Sequence, residues 1–94
     1  MATFFMLGKY SAEGIKDVSA DRTKKATSLI KELGGKVKSI HALLGGYDCV
    51  IISELPSFDV AMRASLGLNI LTGISFQTFP ALAVDDFDRM LSQD

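Results

Sequence analysis

The hydrophobic pattern of this chain changes from strand-like to helix-like spacing twice along the sequence. This repeated order limits the folds that the chain can adopt. Apolar runs of strand length flank two segments in which apolar residues recur every three or four positions. In chain order, the predicted elements are strand 3–9, helix 20–33, strand 36–44, strand 49–55, helix 58–72, strand 74–82 and a short amphipathic tail helix over 84–91. Right-handed crossovers and one hairpin join them most simply in a ferredoxin-like α+β sandwich. We therefore predict an antiparallel four-stranded sheet in the order 4-1-3-2, with both main helices on one face.

The first strand is apolar on both of its faces. Phe4 and Met6 point to one side of the sheet, and Phe5 and Leu7 point to the other. Since the helices cover only one side, the other side needs a different cover. With 48% hydrophobic residues, a domain this small has more apolar surface than its own core can bury. We expect a second copy to provide the cover, which makes the chain a homo-oligomer.

Local signals indicate where the helices begin and end. Ser19 and Ser57 are good N-caps, and Gly34 and Gly73 can adopt the left-handed conformation that ends a helix. Residues 10–18, before the first cap, are expected to form a loop. The predicted buried stripes are Ala26, Leu29, Ile30 and Leu33 in the first helix and Phe58, Ala61, Met62, Ser65 and Leu68 in the second.

The glycine-rich segment 45–48 predicts a hairpin between the second and third strands. Loops of two or four residues distribute the side chains between the two faces in the same way. One predicted face carries Val37, Ser39, His41, Leu43, Val50, Ile52 and Glu54. The other carries Ile40, Ala42, Leu44, Cys49, Ile51 and Ser53. The second set is more uniformly apolar, so we assign it to the helices and assign the first set to the helix-free face.

Charge and cysteine content argue against several classes of function. The formal net charge is −1 with both signs interspersed, so the surface lacks the positive field that attracts nucleic acid. The basic residues Arg22, Lys24 and Lys25 are interpreted as a solvated helix face. No apolar run reaches the length of a membrane-spanning helix. The single cysteine, Cys49, cannot form an internal disulfide, which fits a cytoplasmic protein. Residues 1–94 show no linker, so we expect one domain.

Several short segments, spread along nearly the whole chain, form a specific set. They are Met1-Ala2-Thr3-Phe4, Leu7-Gly8-Lys9-Tyr10-Ser11, Arg22-Thr23-Lys24-Lys25, Leu33-Gly34-Gly35, Leu43-Leu44-Gly45-Gly46-Tyr47-Asp48 and Leu71-Thr72-Gly73-Ile74-Ser75. Together they resemble the GYD domain family, which is named after the tripeptide Gly46-Tyr47-Asp48. The resemblance implies a member of the dimeric α/β barrel group, in which two ferredoxin-like sheets pair across their helix-free faces. That group includes enzymes and small-molecule-sensing domains, so the resemblance implies no particular activity.

The predicted helix-free face carries three groups that could perform chemistry, namely Ser39, His41 and Glu54. His41 is the only histidine, and a carboxylate from Glu54 across the hairpin could fix its tautomer and raise its basicity. In a cofactor-free enzyme of the dimeric barrel kind, His41 would then be the general base. A hydrogen-bonded interface histidine is the simpler interpretation. The sequence contains no spaced cluster of metal ligands and no cofactor motif, so we expect neither a metal nor a cofactor.

Four further residues near the strand ends are candidates for ligand binding. Lys9 and Tyr10 end the first strand, where a pocket could open, and Tyr47 and Asp48 belong to the family motif. Each also has a structural interpretation: Lys9 and Tyr10 solvate the end of the strand, Tyr47 covers the end of the sheet, and Asp48 accepts hydrogen bonds from turn amides.

The sequence favours a non-enzymatic oligomeric domain that binds a small apolar molecule between paired sheets. One histidine is a thin basis for the alternative, the cofactor-free enzyme. A third hypothesis is a purely structural self-association module, which would have a filled interface without a pocket.

Overall fold

The computed structural model describes residues 1–16 and 19–92 of the chain. Its elements are β1 (Ala2–Tyr10), α1 (Ala12–Lys16), α2 (Ala20–Glu32), β2 (Lys36–Ala42), β3 (Cys49–Leu55), α3 (Phe58–Thr72), β4 (Ile74–Ala81) and α4 (Val84–Ser92). All strand pairs are antiparallel and the strand order is β2-β3-β1-β4. This is the predicted ferredoxin-like α+β sheet read from its other edge. The expected loop after β1 is wrong in part, because it contains α1, while residues 17 and 18 lie outside the described residues.

The helix boundaries follow the predicted capping residues. The Ser19 hydroxyl accepts a hydrogen bond from the Arg22 amide at 3.1 Å, and the Ser57 hydroxyl accepts one from the Val60 amide at 3.3 Å. At the other end of α3, Gly73 has a φ of 72°, a left-handed conformation that glycine adopts without strain. Both N-cap predictions are confirmed.

The core lies between the sheet and the pair α2 and α3. Its buried residues are Phe4, Met6, Ala26, Ile30, Ile51, Leu55, Ala61, Ala64 and Leu68. The predicted α2 stripe is confirmed, but the α3 stripe is partly wrong, because Phe58 and Met62 are 68% and 65% exposed. Ala61 and Leu68 of the predicted stripe are buried as expected, and so is Ala64, which the stripe did not include; small side chains here let the helix approach closely. The rings of Phe58 and Phe4 pack edge to face, with 6.1 Å between their centroids.

A β-bulge in β2 changes the predicted distribution of side chains. Val37 pairs with Ser53, but the next paired residue, Ser39, lies opposite Ile52. The extra residue moves Val37 to the helix side, where it packs against the core. The assignment of Val37 to the helix-free face is therefore wrong.

The hairpin between β2 and β3 is longer than predicted. The last strand pair is Ala42 with Cys49, and the Leu43 amide donates to the Asp48 carbonyl at 2.8 Å. Leu44 is therefore fully exposed in the loop and is not on the helix side of a strand, as predicted. Because the loop still has an even number of residues, His41 keeps its predicted face.

Candidate functional site

The face of the sheet opposite α2 and α3, called the helix-free face from here on, is arranged in three cross-strand rows. The first row is Ala81, Thr3, Glu54 and Lys36, the second is Phe79, Phe5, Ile52 and Ser39, and the third is Gln77, Leu7, Val50 and His41. Phe5 and Phe79 are direct neighbours and are 39% and 45% exposed. The centre of this face is therefore apolar, and the polar side chains of β2 border it along one edge of the sheet.

The strand register separates two of the predicted site residues. His41 lies opposite Val50, whereas Glu54 lies opposite Lys36. Val50 and Glu54 are four residues apart in β3, about 13 Å at the usual rise of a strand. Within one chain, Glu54 therefore cannot orient the imidazole of His41. Ser39 lies in the row between them, also on the helix-free face.

The loop of the Gly46-Tyr47-Asp48 motif folds over the end of β1. The Asp48 carboxylate accepts a hydrogen bond from the Tyr10 amide at 2.8 Å, and the Asp48 amide donates to the Gly8 carbonyl at 2.8 Å. The Lys9 ammonium donates to the Gly46 carbonyl at 3.3 Å. These contacts join the hairpin to the last three residues of β1.

Tyr47 extends the same attachment to the opposite edge of the sheet. Its hydroxyl donates to the Gln77 side-chain carbonyl of β4 at 2.7 Å. The ring is half-buried, as expected for a tyrosine that covers the end of a sheet. All three motif residues therefore take part in internal hydrogen bonds, which favours the structural interpretation of Tyr47 and Asp48.

A small cavity of ≈ 70 Å³ lies on the other side of the sheet, beneath the start of α2. Its wall includes Tyr10, Arg22, Cys49 and Thr72. The Arg22 guanidinium lies 5.7 Å from the centroid of the Tyr10 ring and donates to the Thr72 carbonyl at 3.3 Å. Three of the short segments that resemble the GYD domain family, those that contain Tyr10, Arg22 and Thr72, therefore meet at this end of the molecule.

Arg22 is the residue that the sequence interpretation missed. It was assigned to a solvated helix face, but it is half-buried and contacts both β1 and the end of α3. A signal for this position was present, because Arg22 lies four residues before Ala26 and eight before Ile30. These three residues share one face of α2, and the last two of them are in the core.

The thiol of Cys49 is held in its neutral form. Burial raises its pKa, and the neighbouring Asp48 carboxylate raises it further, whereas a hydrogen bond with the Gly8 backbone and the charge of Arg22 act in the opposite direction. A nucleophilic cysteine needs a lowered pKa. The environment of Cys49 therefore suits a packing role.

The described residues contain neither a candidate metal-ligand cluster nor a candidate membrane-spanning helix. In the ranges 1–16 and 19–92, no three histidine, cysteine, aspartate or glutamate side chains gather in a group that could hold a metal ion. None of the helices in these ranges combines the length and the apolar character needed to cross a membrane.

The family model of the GYD domain matches residues 4–91, nearly the whole chain. The chain belongs to the GYD domain family. The resemblance to this family is thereby confirmed. No functionally curated protein matches this GYD domain.

The fold of the GYD domain also resembles a solved structure. The crystal structure of the leucine response regulatory protein LrpA from Mycobacterium tuberculosis superposes with a TM-score of 0.58 at 10% sequence identity. The match covers 87% of the GYD domain and 51% of the LrpA chain, so the GYD domain spans about half of that protein. At this identity, the similarity shows a shared fold alone.

Proposed function

We propose that residues 1–94 form one non-enzymatic, self-associating domain, which pairs two sheets through their helix-free faces and holds a small, mostly apolar molecule between them. The observation that carries this proposal is the exposed pair Phe5 and Phe79 on the sheet face that α2 and α3 do not cover. Exposed aromatic side chains grouped in this way are more often found on interaction surfaces than on surfaces that remain exposed to solvent. A second copy brings an identical apolar centre to the same place, as a two-fold interface requires.

The polar residues of β2 suit the edge of such a ligand site. Ser39 and His41 lie in the two rows that contain the exposed or half-buried apolar residues Phe5 and Leu7. Apolar sites of this kind use a few polar groups to orient the bound molecule. We propose that Ser39 and His41 contact the polar end of the ligand. LrpA is named for its response to leucine, another small molecule with an apolar part, but the proposal rests on the face of the GYD domain itself.

Light scattering of two matched variants tests the pairing. Phe79→Glu places a charge in the apolar centre, whereas Phe58→Glu places the same charge on the helix side, where Phe58 is 68% exposed. We expect Phe79→Glu to weaken association at micromolar concentration, while Phe58→Glu associates like the wild type. A wild type that is monodisperse and monomeric at that concentration overturns the proposal.

Native mass spectrometry tests the ligand separately. We expect the wild-type oligomer to carry an additional non-protein mass that the Phe79→Glu variant lacks. His41→Leu should weaken retention of this molecule without changing the oligomeric mass, because His41 lies at the border of the apolar centre. An oligomer without additional mass that also takes up no small apolar dye overturns the ligand part and leaves the pairing intact.

A further inference from the structure

The C-terminal helix α4 carries an apolar stripe that its own copy leaves uncovered. Val84, Phe87, Met90 and Leu91 are 70%, 44%, 56% and 66% exposed, and no residue of α4 is buried. Nine residues are too few for a stable isolated helix in water. A surface that packs against the stripe would therefore stabilise α4.

Little of the domain packs against α4, and the chain as a whole is elongated. The radius of gyration is 14.2 Å, whereas a compact domain of this length has about 12 Å. The longest dimension, 52 Å, greatly exceeds the other two, 30 Å and 18 Å. In this position, α4 is available to a second molecule.

The polar face of α4 is acidic. Asp85, Asp86 and Asp88 outweigh the one basic residue, Arg89, which forms an ion pair with Asp86. At 100° per residue, Asp86 and Asp88 lie on the two sides of the apolar stripe. A partner surface for α4 should therefore have an apolar floor and a basic rim.

The groove between α2 and α3 has this combination. It measures ≈ 340 Å³ and includes Leu29 and Leu71, and its charged lining residues are Lys24, Lys25 and Glu32. Leu71 is 41% exposed, and Lys24 and Lys25 are exposed. Lys25 pairs with Asp21 at 3.3 Å on the surface, a contact that contributes little in water and is easily exchanged. The two lysines outnumber the one acidic residue of the lining, so the groove has a net positive charge.

A second groove, between α3 and β4, is the main competitor. It measures ≈ 260 Å³ and is lined mostly by apolar side chains, among them Phe58, Met62 and Leu66. The charged residues on this part of α3 are Asp59 and Arg63, whose charges cancel. This groove fits an apolar stripe but offers nothing to the acidic residues beside it.

We propose that α4 of one copy docks into the α2–α3 groove of a second copy, with its apolar stripe on Leu29 and Leu71 and its aspartates beside Lys24 and Lys25. This inference adds a second interface to the self-association proposed above. Because a copy offers both the helix and the groove, the contact is either reciprocal within one dimer or links dimers into larger assemblies.

Reversing the charges on each side of the contact tests the proposal. Lys24→Glu with Lys25→Glu, and separately Asp86→Lys with Asp88→Lys, should each weaken association in light scattering about tenfold or more. An equimolar mixture of the two variants should associate like the wild type, because each groove then meets an α4 of opposite charge on another copy. Lys31→Glu with Lys38→Glu, the same change of charge at exposed positions outside the groove lining, should leave association unchanged.

Three outcomes would overturn the docking. They are unchanged association after removal of residues 84–94, no recovery in the mixture, and weakening by Leu66→Glu in the competing groove without weakening by the lysine reversals. Phe79→Glu separates this inference from the sheet pairing. If Phe79→Glu leaves association intact while the charge reversals abolish it, the sheet pairing fails and the docking stands.

Discussion

The carboxylate of Asp48 accepts a hydrogen bond from the backbone amide of Tyr10 at 2.8 Å. The two residues are 38 positions apart, and the contact attaches the hairpin loop to the end of a central strand. A carboxylate in this position replaces the strand partner that the Tyr10 amide would otherwise need. The aspartate of the family motif therefore ends a strand and closes a loop at the same time.

Asp48→Ala should lower the free energy of unfolding by about 1–3 kcal/mol, because it leaves the half-buried Tyr10 amide without its acceptor. Asp48→Asn keeps an acceptor oxygen and should cost less. Tyr47→Phe removes only an exposed hydrogen bond to Gln77 and should cost under about 1 kcal/mol. Urea unfolding at one fixed protein concentration measures all three. An Asp48→Ala cost no larger than that of Tyr47→Phe would show that the attachment does not stabilise the domain.

Gly8 lies where several core side chains converge on β1. A Cβ atom at this position would be 2.6 Å from the Cys49 sulfur, 2.8 Å from a carbon of Phe76 and 2.9 Å from one of Ile74. Gly8→Ala should therefore destabilise the domain by about 1–3 kcal/mol through overpacking. Gly46→Ala is the matched control, since its Cβ would meet no atom within 4 Å. Thermal unfolding of the two variants decides the matter, and equal melting temperatures would contradict the crowding at Gly8.

The order of elements was predictable because its signals are local. The apolar spacing, the caps at Ser19 and Ser57 and the glycine at position 73 each act within a few residues. The bulge beside Val37 was not predictable from the sequence, because no residue type in β2 distinguishes a bulged strand from a regular one. It follows from how β2 pairs with β3, and its effect is to turn one valine towards the helices.

The site was less predictable than the fold, because its geometry depends on contacts between distant segments. His41 was correctly placed on the helix-free face, but its distance from Glu54 depends on which residues pair across the hairpin. Arg22 was missed because its charge suggested solvent, while its spacing from Ala26 indicated the core side of α2. A long arginine side chain can lie on the core side and still keep its charge in a polar environment, since its stem packs and its guanidinium reaches the Thr72 carbonyl.

Two threonines give opposite predictions for the same substitution. Thr78 has a buried hydroxyl for which the described residues offer no hydrogen-bond partner. Thr72, in contrast, donates to the Leu68 carbonyl at 2.6 Å and accepts from the Ile74 amide at 3.1 Å. Thr78→Val should raise the free energy of unfolding by about 1 kcal/mol, because it removes a buried polar group without a partner. Thr72→Val should lower it by about 1–3 kcal/mol, and urea unfolding that shows the same sign for both contradicts these assignments.

The Cys49 thiol should make the stability of the domain fall at alkaline pH. Burial and the Asp48 carboxylate raise its pKa in the folded state above the ordinary value of 9.0. Below that value the thiol is protonated in both states, and its contribution to stability is fully present. As the pH rises further, the unfolded state loses the proton first, so this contribution is lost between the unfolded and the folded pKa.

Urea unfolding at a series of pH values from about 8 to 10.5 measures this loss. The informative quantity is the difference in slope between the wild type and Cys49→Ala, because contributions from all other groups are common to both proteins. We expect stability to decline more steeply with pH in the wild type, because only the wild type carries the thiol. Parallel slopes would show that burial does not hold Cys49 in its neutral form. Slow reaction of the folded wild type with an aromatic disulfide at neutral pH, and fast reaction after unfolding, should accompany the steeper slope.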